Sequence, residues 1–159
     1  MCIVLGSLLL AACGHPPPPP DGHTSSETLA RAVLDALAAN DAERLTALAL
    51  TGQEFRNVVW PELPSSRPER GVPVSYAWDD LHQKSASALR RLLERWGGRT
   101  YTLVAVAYDG ETTVYDSFRV HRATRLTVRD EAGQELEVHF YGSTLVQGDQ
   151  HRVFSYVVD

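Results

Sequence analysis

The first half of the chain has hydrophobic residues every three or four positions, which predicts helices because side chains at this spacing share one face. The first helix follows Thr24-Ser25-Ser26-Glu27, which predicts a capping box formed by the Thr24 hydroxyl and the Glu27 carboxylate. Asn40-Asp41 is expected to end this helix and to cap a second one. The apolar positions are Leu29, Val33 and Leu37 in the first helix, and Leu45 and Leu48 in the second.

A short helix and a proline-rich loop are predicted next. Thr51-Gly52-Gln53-Glu54 is a second capping box that opens the helix, and Trp60-Pro61 ends it. Residues 61–73 contain four prolines and predict a loop. Residues 72–76 predict a short edge strand, because Pro73 lacks the N–H that a central strand needs.

A longer helix is predicted from about Trp78 to Trp96. Asp79 and Asp80 suit the positive end of its dipole, and Gly97-Gly98 is typical of a helix end. One side of this helix is expected to face the core, with the apolar positions Leu81, Leu89, Leu92, Leu93 and Trp96.

The residues after Arg99 alternate between apolar and polar, which predicts antiparallel strands. Asp109-Gly110 is typical of a two-residue hairpin turn, so the strands on either side of it are expected to pair. Gly133 supplies the left-handed residue of a second turn. The prediction is a meander of about five strands, at 101–108, 112–121, 125–129, 135–141 and 152–158.

This order of elements predicts an α+β fold, with N-terminal helices packed on a curved antiparallel sheet of about five strands, in one domain over residues 26–159. The segment 29–41, LARAVLDALAAND, resembles the first helix and acidic break of the nuclear transport factor 2-like superfamily. The resemblance covers most of residues 27–159 and implies the cystatin-like cone of that superfamily. It is a pattern of elements and carries no functional motif. The extra helix ending at Trp60 and the proline loop depart from it.

Charge argues against nucleic acid as a partner. The chain has 15 basic and 20 acidic residues, for a formal net charge of −5. Such a chain binds a phosphate backbone poorly. Its basic residues are scattered arginines, and Lys84 is its single lysine.

The N-terminal segment predicts export and lipidation. Leu10-Ala11-Ala12-Cys13 follows an apolar run and resembles the lipobox of bacterial lipoproteins. The resemblance implies removal of residues 1–12 and attachment of lipid to Cys13. The apolar run is far shorter than the ~20 residues that span a bilayer, so the alternatives are an ordinary signal peptide and an artefact of start-site choice.

Residues 13–25 predict a proline-rich tether between this anchor and the domain. Gly14 after the cysteine resembles the pattern of outer-membrane lipoproteins. The expected location is therefore the bacterial cell envelope, at the outer membrane and facing the periplasm, with the membrane reached through Cys13. The domain is expected to fold without a disulfide.

Asp116 is the candidate for catalysis. In a hairpin around Asp109-Gly110 it lies opposite Leu103 and shares a face with Phe118 and other apolar residues. A carboxylate in an apolar pocket has a raised pKa and suits general-base work. The resemblance implies the same role, because some ketosteroid-isomerase-like enzymes use a pocket acid. The alternative, which the sequence favours, is a structural carboxylate bound to an arginine or to backbone amides.

His139 is the second catalytic candidate. It acts with Asp116 only if the two share a face, which strand parity does not fix. The pattern of its own strand and the neighbouring strand favours a solvated surface with cross-strand ion pairs. That surface is expected to contain Glu135, Glu137, His139, Tyr141, Arg125, Thr127 and Arg129.

Metal and cofactor sites are not expected. His15, Asp21 and His23 lie close in sequence, but the prolines between them oppose a compact cage. Neither a glycine-rich phosphate loop nor a nucleophile elbow occurs in the sequence.

Four residues are candidates for binding. Arg67 and Arg70 lie in the proline loop, where recognition residues are common, although a solvated loop explains them equally well. Trp60 and Trp78 lie at predicted helix ends. One interpretation is that they close the mouth of a ligand cavity, and the other is that they cover the core.

The sequence leaves three functions open, because one fold hosts many functions. The first is a membrane-anchored envelope lipoprotein whose non-enzymatic domain binds a small ligand or a protein partner. The second is a small pocket enzyme that uses Asp116 for proton transfer or hydrolysis. The third is a structural accessory of an envelope complex.

Overall fold

A computed structural model describes residues 23–158. The fold is α+β, with helices and two antiparallel sheets. The predicted signal peptide, the lipidation site Cys13 and the tether up to residue 22 lie outside the described residues. Within the described part of the chain, no helix combines the length and the hydropathy needed to cross a membrane. The helices are α1 (Ser26–Ala38), α2 (Ala42–Ala47), α3 (Gly52–Glu54) and α4 (Val74–Trp96).

The first capping box is shifted by one residue from the prediction. Ser25 is the N-cap of α1: its hydroxyl accepts from the Thr28 N–H at 3.1 Å, and its own N–H donates to the Thr28 hydroxyl at 3.1 Å. Thr24 and Glu27 have the same spacing, so the sequence signature fits both registers. The observed register leaves Glu27 in the first turn, where a negative charge is favourable.

The other predicted caps are confirmed. Asp41 caps α2 by accepting from the Arg44 N–H at 2.9 Å. Thr51 and Glu54 form a complete capping box on α3. The chain then continues as one π-helical turn, Phe55–Val59, and the proline loop that follows folds into three short 3₁₀ turns, Trp60–Glu62, Pro64–Ser66 and Pro68–Arg70.

The predicted edge strand at 72–76 is wrong, because α4 begins there. Pro73 is the N-cap of α4, and its carbonyl accepts the first helical hydrogen bond from Ala77 N–H at 3.1 Å. A missing N–H costs nothing at a helix start, so the same proline that excludes a central strand also suits a helix N-terminus. The predicted end of this helix is confirmed, with Gly97 as the C-cap.

Seven strands form two sheets rather than one meander of about five. The three-stranded sheet has the order β1-β4-β5 and the four-stranded sheet the order β2-β3-β6-β7. The strands are β1 (Thr102–Tyr108), β2 (Thr112–Val114), β3 (Arg119–Arg122), β4 (Thr124–Arg129), β5 (Glu135–Val138), β6 (Ser143–Gln147) and β7 (Gln150–Ser155).

The predicted hairpin at Asp109-Gly110 is wrong. β1 pairs with β4, and the ladder continues past β1 through Asp109 N–H to the Ala123 carbonyl (3.0 Å) and Gly110 N–H to the Arg122 carbonyl (3.2 Å). Residues 102–114 therefore form one long bent strand, and the turn comes later, at residues 115–118. Glycine is needed at 110 for close approach, since a Cβ there would lie 2.8 Å from the Arg122 Cβ.

The same bend recurs in the neighbouring strands. β3 and β4 are one strand bent at Ala123, which has φ +51°. β5 and β6 are likewise joined by a bend, and Thr124 N–H bonds the Gly142 carbonyl across it at 2.9 Å. Two antiparallel sheets thus arise from a meander of long strands that all bend at the same level. The predicted strand 135–141 stops at Val138, and β6 was not predicted from the sequence.

Each sheet has its own hydrophobic cluster under the helices. The first cluster joins α1 and the C-terminal half of α4 to the three-stranded sheet, with Leu29, Leu37, Leu92, Leu126 and Val128 among its members. The second joins residues 50–63 and the N-terminal half of α4 to the four-stranded sheet, with Leu50, Phe55, Val59, Phe118, Val120 and Leu145. α4 therefore spans both clusters, and its N-terminal half covers the four-stranded sheet.

Candidate functional site

Asp116 does not line a pocket in the sheet. It is exposed in the turn between β2 and β3, and Leu103, its expected neighbour, pairs with Val128. The misplacement follows from the hairpin error, since moving the turn from 109 to 116 changes every pairing. The carboxylate that organises this turn is Glu62, which accepts from the Ser117 N–H at 3.1 Å and from the Ser117 hydroxyl.

His139 has a different acidic neighbour, Asp109. Its Nδ1 lies 2.9 Å from the Thr124 carbonyl oxygen, and its Nε2 lies 3.8 Å from a carboxylate oxygen of Asp109. Asp109 also accepts from the Arg125 Nε at 2.9 Å. His139 follows β5 of the three-stranded sheet, whereas Asp116 joins β2 to β3 of the four-stranded sheet, so the two do not form a catalytic pair.

The predicted solvated surface around His139 is confirmed in its ion pairs. Arg129 contacts Glu135 at 2.7 Å, and Arg125 contacts Glu137, both across the β4–β5 ladder. Tyr141 was wrongly assigned to this surface. It lies beyond the end of β5 and is fully buried, because the bend turns it into the core.

A cleft of about 320 Å³ is the clearest concave site among the described residues. It lies between α4 and residues 46–52, and β7 and the residues after it form its floor. We call it the cleft from here on. Its lining is mostly apolar and comprises Thr46, Ala49, Leu50, Thr51, Gly52, Trp78, Leu81, His82, Ser85, Ala86, Leu89, Phe154 and Tyr156.

Trp78, a binding candidate from the sequence, forms one wall of the cleft. Its ring stacks on His82 with the centroids 5.2 Å apart and contacts Phe55 at 5.4 Å. Gly52 lies against the other edge, where a Cβ would be 3.0 Å from the Trp78 ring. Trp60 packs on Phe55 at 5.9 Å and does not line the cleft, so it covers the core instead.

A buried ion pair supports the opposite wall. Arg152 on β7 lies with its Nε 2.8 Å from the Glu54 carboxylate and donates to the Ala47 carbonyl at 3.2 Å. Glu54 also accepts from the Thr51 N–H at 2.8 Å. These contacts fix residues 47–54 against β7. The role of Arg152 is not visible in the sequence, because an arginine in an alternating strand is usually solvated.

Two polar groups on the floor of the cleft are occupied by hydrogen bonds within the protein. The buried Tyr156 hydroxyl donates to the Leu45 carbonyl at 2.6 Å, and burial raises the pKa of Tyr156. The Ser85 hydroxyl accepts from the Tyr156 N–H at 3.1 Å. Among residues 23–158, no carboxylate lines the cleft. The lining therefore offers a ligand mainly apolar contact and aromatic stacking.

A second hollow, of about 340 Å³, flanks the other side of α4. Leu81 and Phe154 line it as well as the cleft. Its charged residues are Asp80, Lys84 and Arg122, and Lys84 is bonded to Asp80 at 2.7 Å. We call this site the second hollow.

The remaining candidates lie apart from both sites. Arg67 and Arg70 are exposed on the proline loop, and Arg67 shares a shallow polar depression with Asp116. His23 pairs through its backbone with His151, whereas His15 and Asp21 lie outside the described residues. Within residues 23–158, no group of three histidine, cysteine or acidic side chains is arranged to hold a metal ion.

Comparison with known proteins adds no family. No protein-family model matches the chain, and no curated protein or solved structure is significantly similar to it. The function has to be argued from the residues of the site themselves.

Proposed function

We propose that this chain is a lipid-anchored protein of the bacterial cell envelope whose folded domain binds a small apolar ligand in the cleft. The anchor is Cys13, and the location is the outer membrane, facing the periplasm. The lipobox-like segment 10–13, the proline tether and Gly14 support this part of the proposal.

The cleft is the single observation that carries the binding function. Ligand pockets typically measure ~300–1,000 Å³ and are mostly apolar with a few polar groups. The cleft, at about 320 Å³, has this size and this lining. Trp78 favours a ligand with an aromatic ring, because offset stacking on an indole adds to the gain from apolar burial.

The bent sheet supports the resemblance to the nuclear transport factor 2-like cone as the finer description of the fold. A cone needs long strands that curve around a helical layer. Bends at residues 109–111, at Ala123 and at residues 139–142 give the meander this curvature, and α4 lies across the four-stranded half.

Binding is favoured over the enzymatic alternative. That alternative needs Asp116 in an apolar pocket, and Asp116 is exposed at the β2–β3 turn. His82 is an exposed titratable side chain of the cleft, and among residues 23–158 it forms no ion pair with a carboxylate. A lone histidine with no orienting partner is a poor general base.

The experiment measures binding of N-phenylnaphthylamine, a neutral apolar fluorophore, to the full chain carrying Cys13→Ser, which cannot be acylated at this position. Ala86→Phe adds a ring to the cleft and is expected to weaken binding about tenfold, or 1.4 kcal/mol. Ser75→Phe is the matched control, because it adds the same ring to an exposed α4 position outside the cleft. Equal effects of the two variants, or no binding by the parent chain, would refute the function.

A further inference from the structure

The cleft and the second hollow share part of their lining. Leu81 on α4 and Phe154 on β7 line both sites. Both side chains are only partly buried, so neither is locked into a cluster on all sides. These two side chains are therefore the partition between an apolar chamber and a charged one.

Among residues 23–158, the side chains that line the second hollow carry one positive charge without a paired carboxylate. Lys84 and Asp80 are bonded at 2.7 Å and cancel each other. Arg122 has no carboxylate within ion-pair distance among residues 23–158. Its guanidinium is thus available at this site to bind an anion.

The backbone of Arg122 is held in place by the bend. Its carbonyl accepts from the Gly110 N–H at 3.2 Å, and its N–H donates to the Glu111 carbonyl at 3.2 Å. Gly110 also packs directly on the Arg122 Cβ. The bend that joins the two sheets therefore fixes the backbone position from which the Arg122 side chain extends.

We propose that the ligand is an amphipathic monocarboxylate, such as a fatty acid. Its carboxylate binds Arg122 in the second hollow, and its alkyl chain passes between Leu81 and Phe154 into the cleft. This inference rests on the proposed function and names the ligand class. A monoanion matches the single net charge of the second hollow, whereas a dianionic phosphate would place a further negative charge beside Asp80.

The test compares dodecanoate with dodecanol, a neutral ligand of equal chain length, by equilibrium dialysis against the full chain with Cys13→Ser. Arg122→Gln is expected to weaken dodecanoate binding about tenfold and to leave dodecanol binding unchanged. Arg119→Gln is the matched control, since Arg119 is exposed on the same strand and does not line the second hollow. It is expected to change neither affinity.

Chain length tests the passage under α4. Leu81→Trp fills the partition and is expected to weaken dodecanoate binding about tenfold while leaving hexanoate, whose chain is half as long, nearly unaffected. Equal losses for both acids would overturn the passage.

The two proposals fail in different ways. If dodecanol and N-phenylnaphthylamine both bind but Arg122→Gln affects dodecanoate no more than Arg119→Gln does, the ligand class is wrong and the apolar cleft stands. If none of the three ligands binds, the proposed function falls together with this inference.

Discussion

Glu54 and Arg152 form an ion pair between α3 and β7 in which the arginine side chain is 8% exposed and the carboxylate side chain 16% exposed. Both partners make further contacts with this segment. The Glu54 carboxylate accepts from the Thr51 N–H within the capping box of α3, and Arg152 donates to the Ala47 and Ala49 carbonyls. Ala49 and Thr51 line the cleft, so the ion pair supports the wall of the cleft from behind.

Glu54→Gln is expected to lower the free energy of unfolding by about 3 kcal/mol, because it leaves a buried arginine without its counter-charge. Urea unfolding followed by circular dichroism measures this change. Glu135→Gln is the control, since its pair with Arg129 is about half exposed and such pairs contribute roughly 0–1 kcal/mol. Similar losses for both variants would show that the Glu54 pair is not a structural support.

Gly142 is expected to tolerate no side chain. A Cβ at this position would lie 1.7 Å from the Val157 carbonyl oxygen, so Gly142→Ala has to move backbone and is expected to cost about 3 kcal/mol. Gly133→Ala is the comparison, because Gly133 has φ +81° and open space around its Cβ position, and its strain alone costs roughly 1–2 kcal/mol. Denaturant midpoints that ranked the two variants in the opposite order would contradict the bend geometry.

Stability is expected to fall as the pH drops through about 6.5, the ordinary histidine value. Burial, followed by the charges of Arg152 and His151, lowers the pKa of His23, and burial, followed by the charges of Arg119 and His151, lowers the pKa of His121. A histidine whose folded pKa lies below its unfolded pKa binds more protons when unfolded, so stability rises with pH in this range.

The melting temperature of the parent chain and of the double variant His23→Gln, His121→Gln, measured from pH 8 to about pH 5, isolates this contribution from that of the carboxylates. The parent should lose more stability than the variant below about pH 6.5. Parallel curves would mean that the two histidines titrate alike in the folded and unfolded chain.

Lipidation predicts an acylated Cys13 at the mature N-terminus. Mass spectrometry of the N-terminal peptide from a bacterial host should show diacylglyceryl-modified Cys13, and Cys13→Ala should leave the precursor unprocessed or release the domain from membranes. An intact Met1 on the membrane-bound protein, or an unmodified Cys13 there, would contradict the anchor.

The helices were predictable because their signals are local. The spacing of Leu29, Val33 and Leu37 and the caps at Asp41 and Thr51 act within a few residues, and the structure contains all of them. The strand pairing was not predictable, since Asp109-Gly110 has the composition of a hairpin turn. Its glycine serves a close approach to Arg122, a contact that no local pattern contains.

The candidate site was only partly predictable for the same reason. Trp78 was identified from its place near a helix start, but Glu54 and Arg152 meet only after the chain has folded. Asp116 was misplaced because its expected surroundings depended on the hairpin. A site built from distant segments becomes visible in a sequence only when the pairing of its strands is known.

Methyl and indole NMR shifts during titration with dodecanol test the central claim most directly, because they locate an apolar ligand without any variant. We expect the shifts to be concentrated at Trp78, Leu81, Ala86 and Leu89, which line the cleft. Val104 and Val114, exposed on the strands away from the cleft, should stay unchanged. Shifts at those two valines with none at Trp78 would contradict the account.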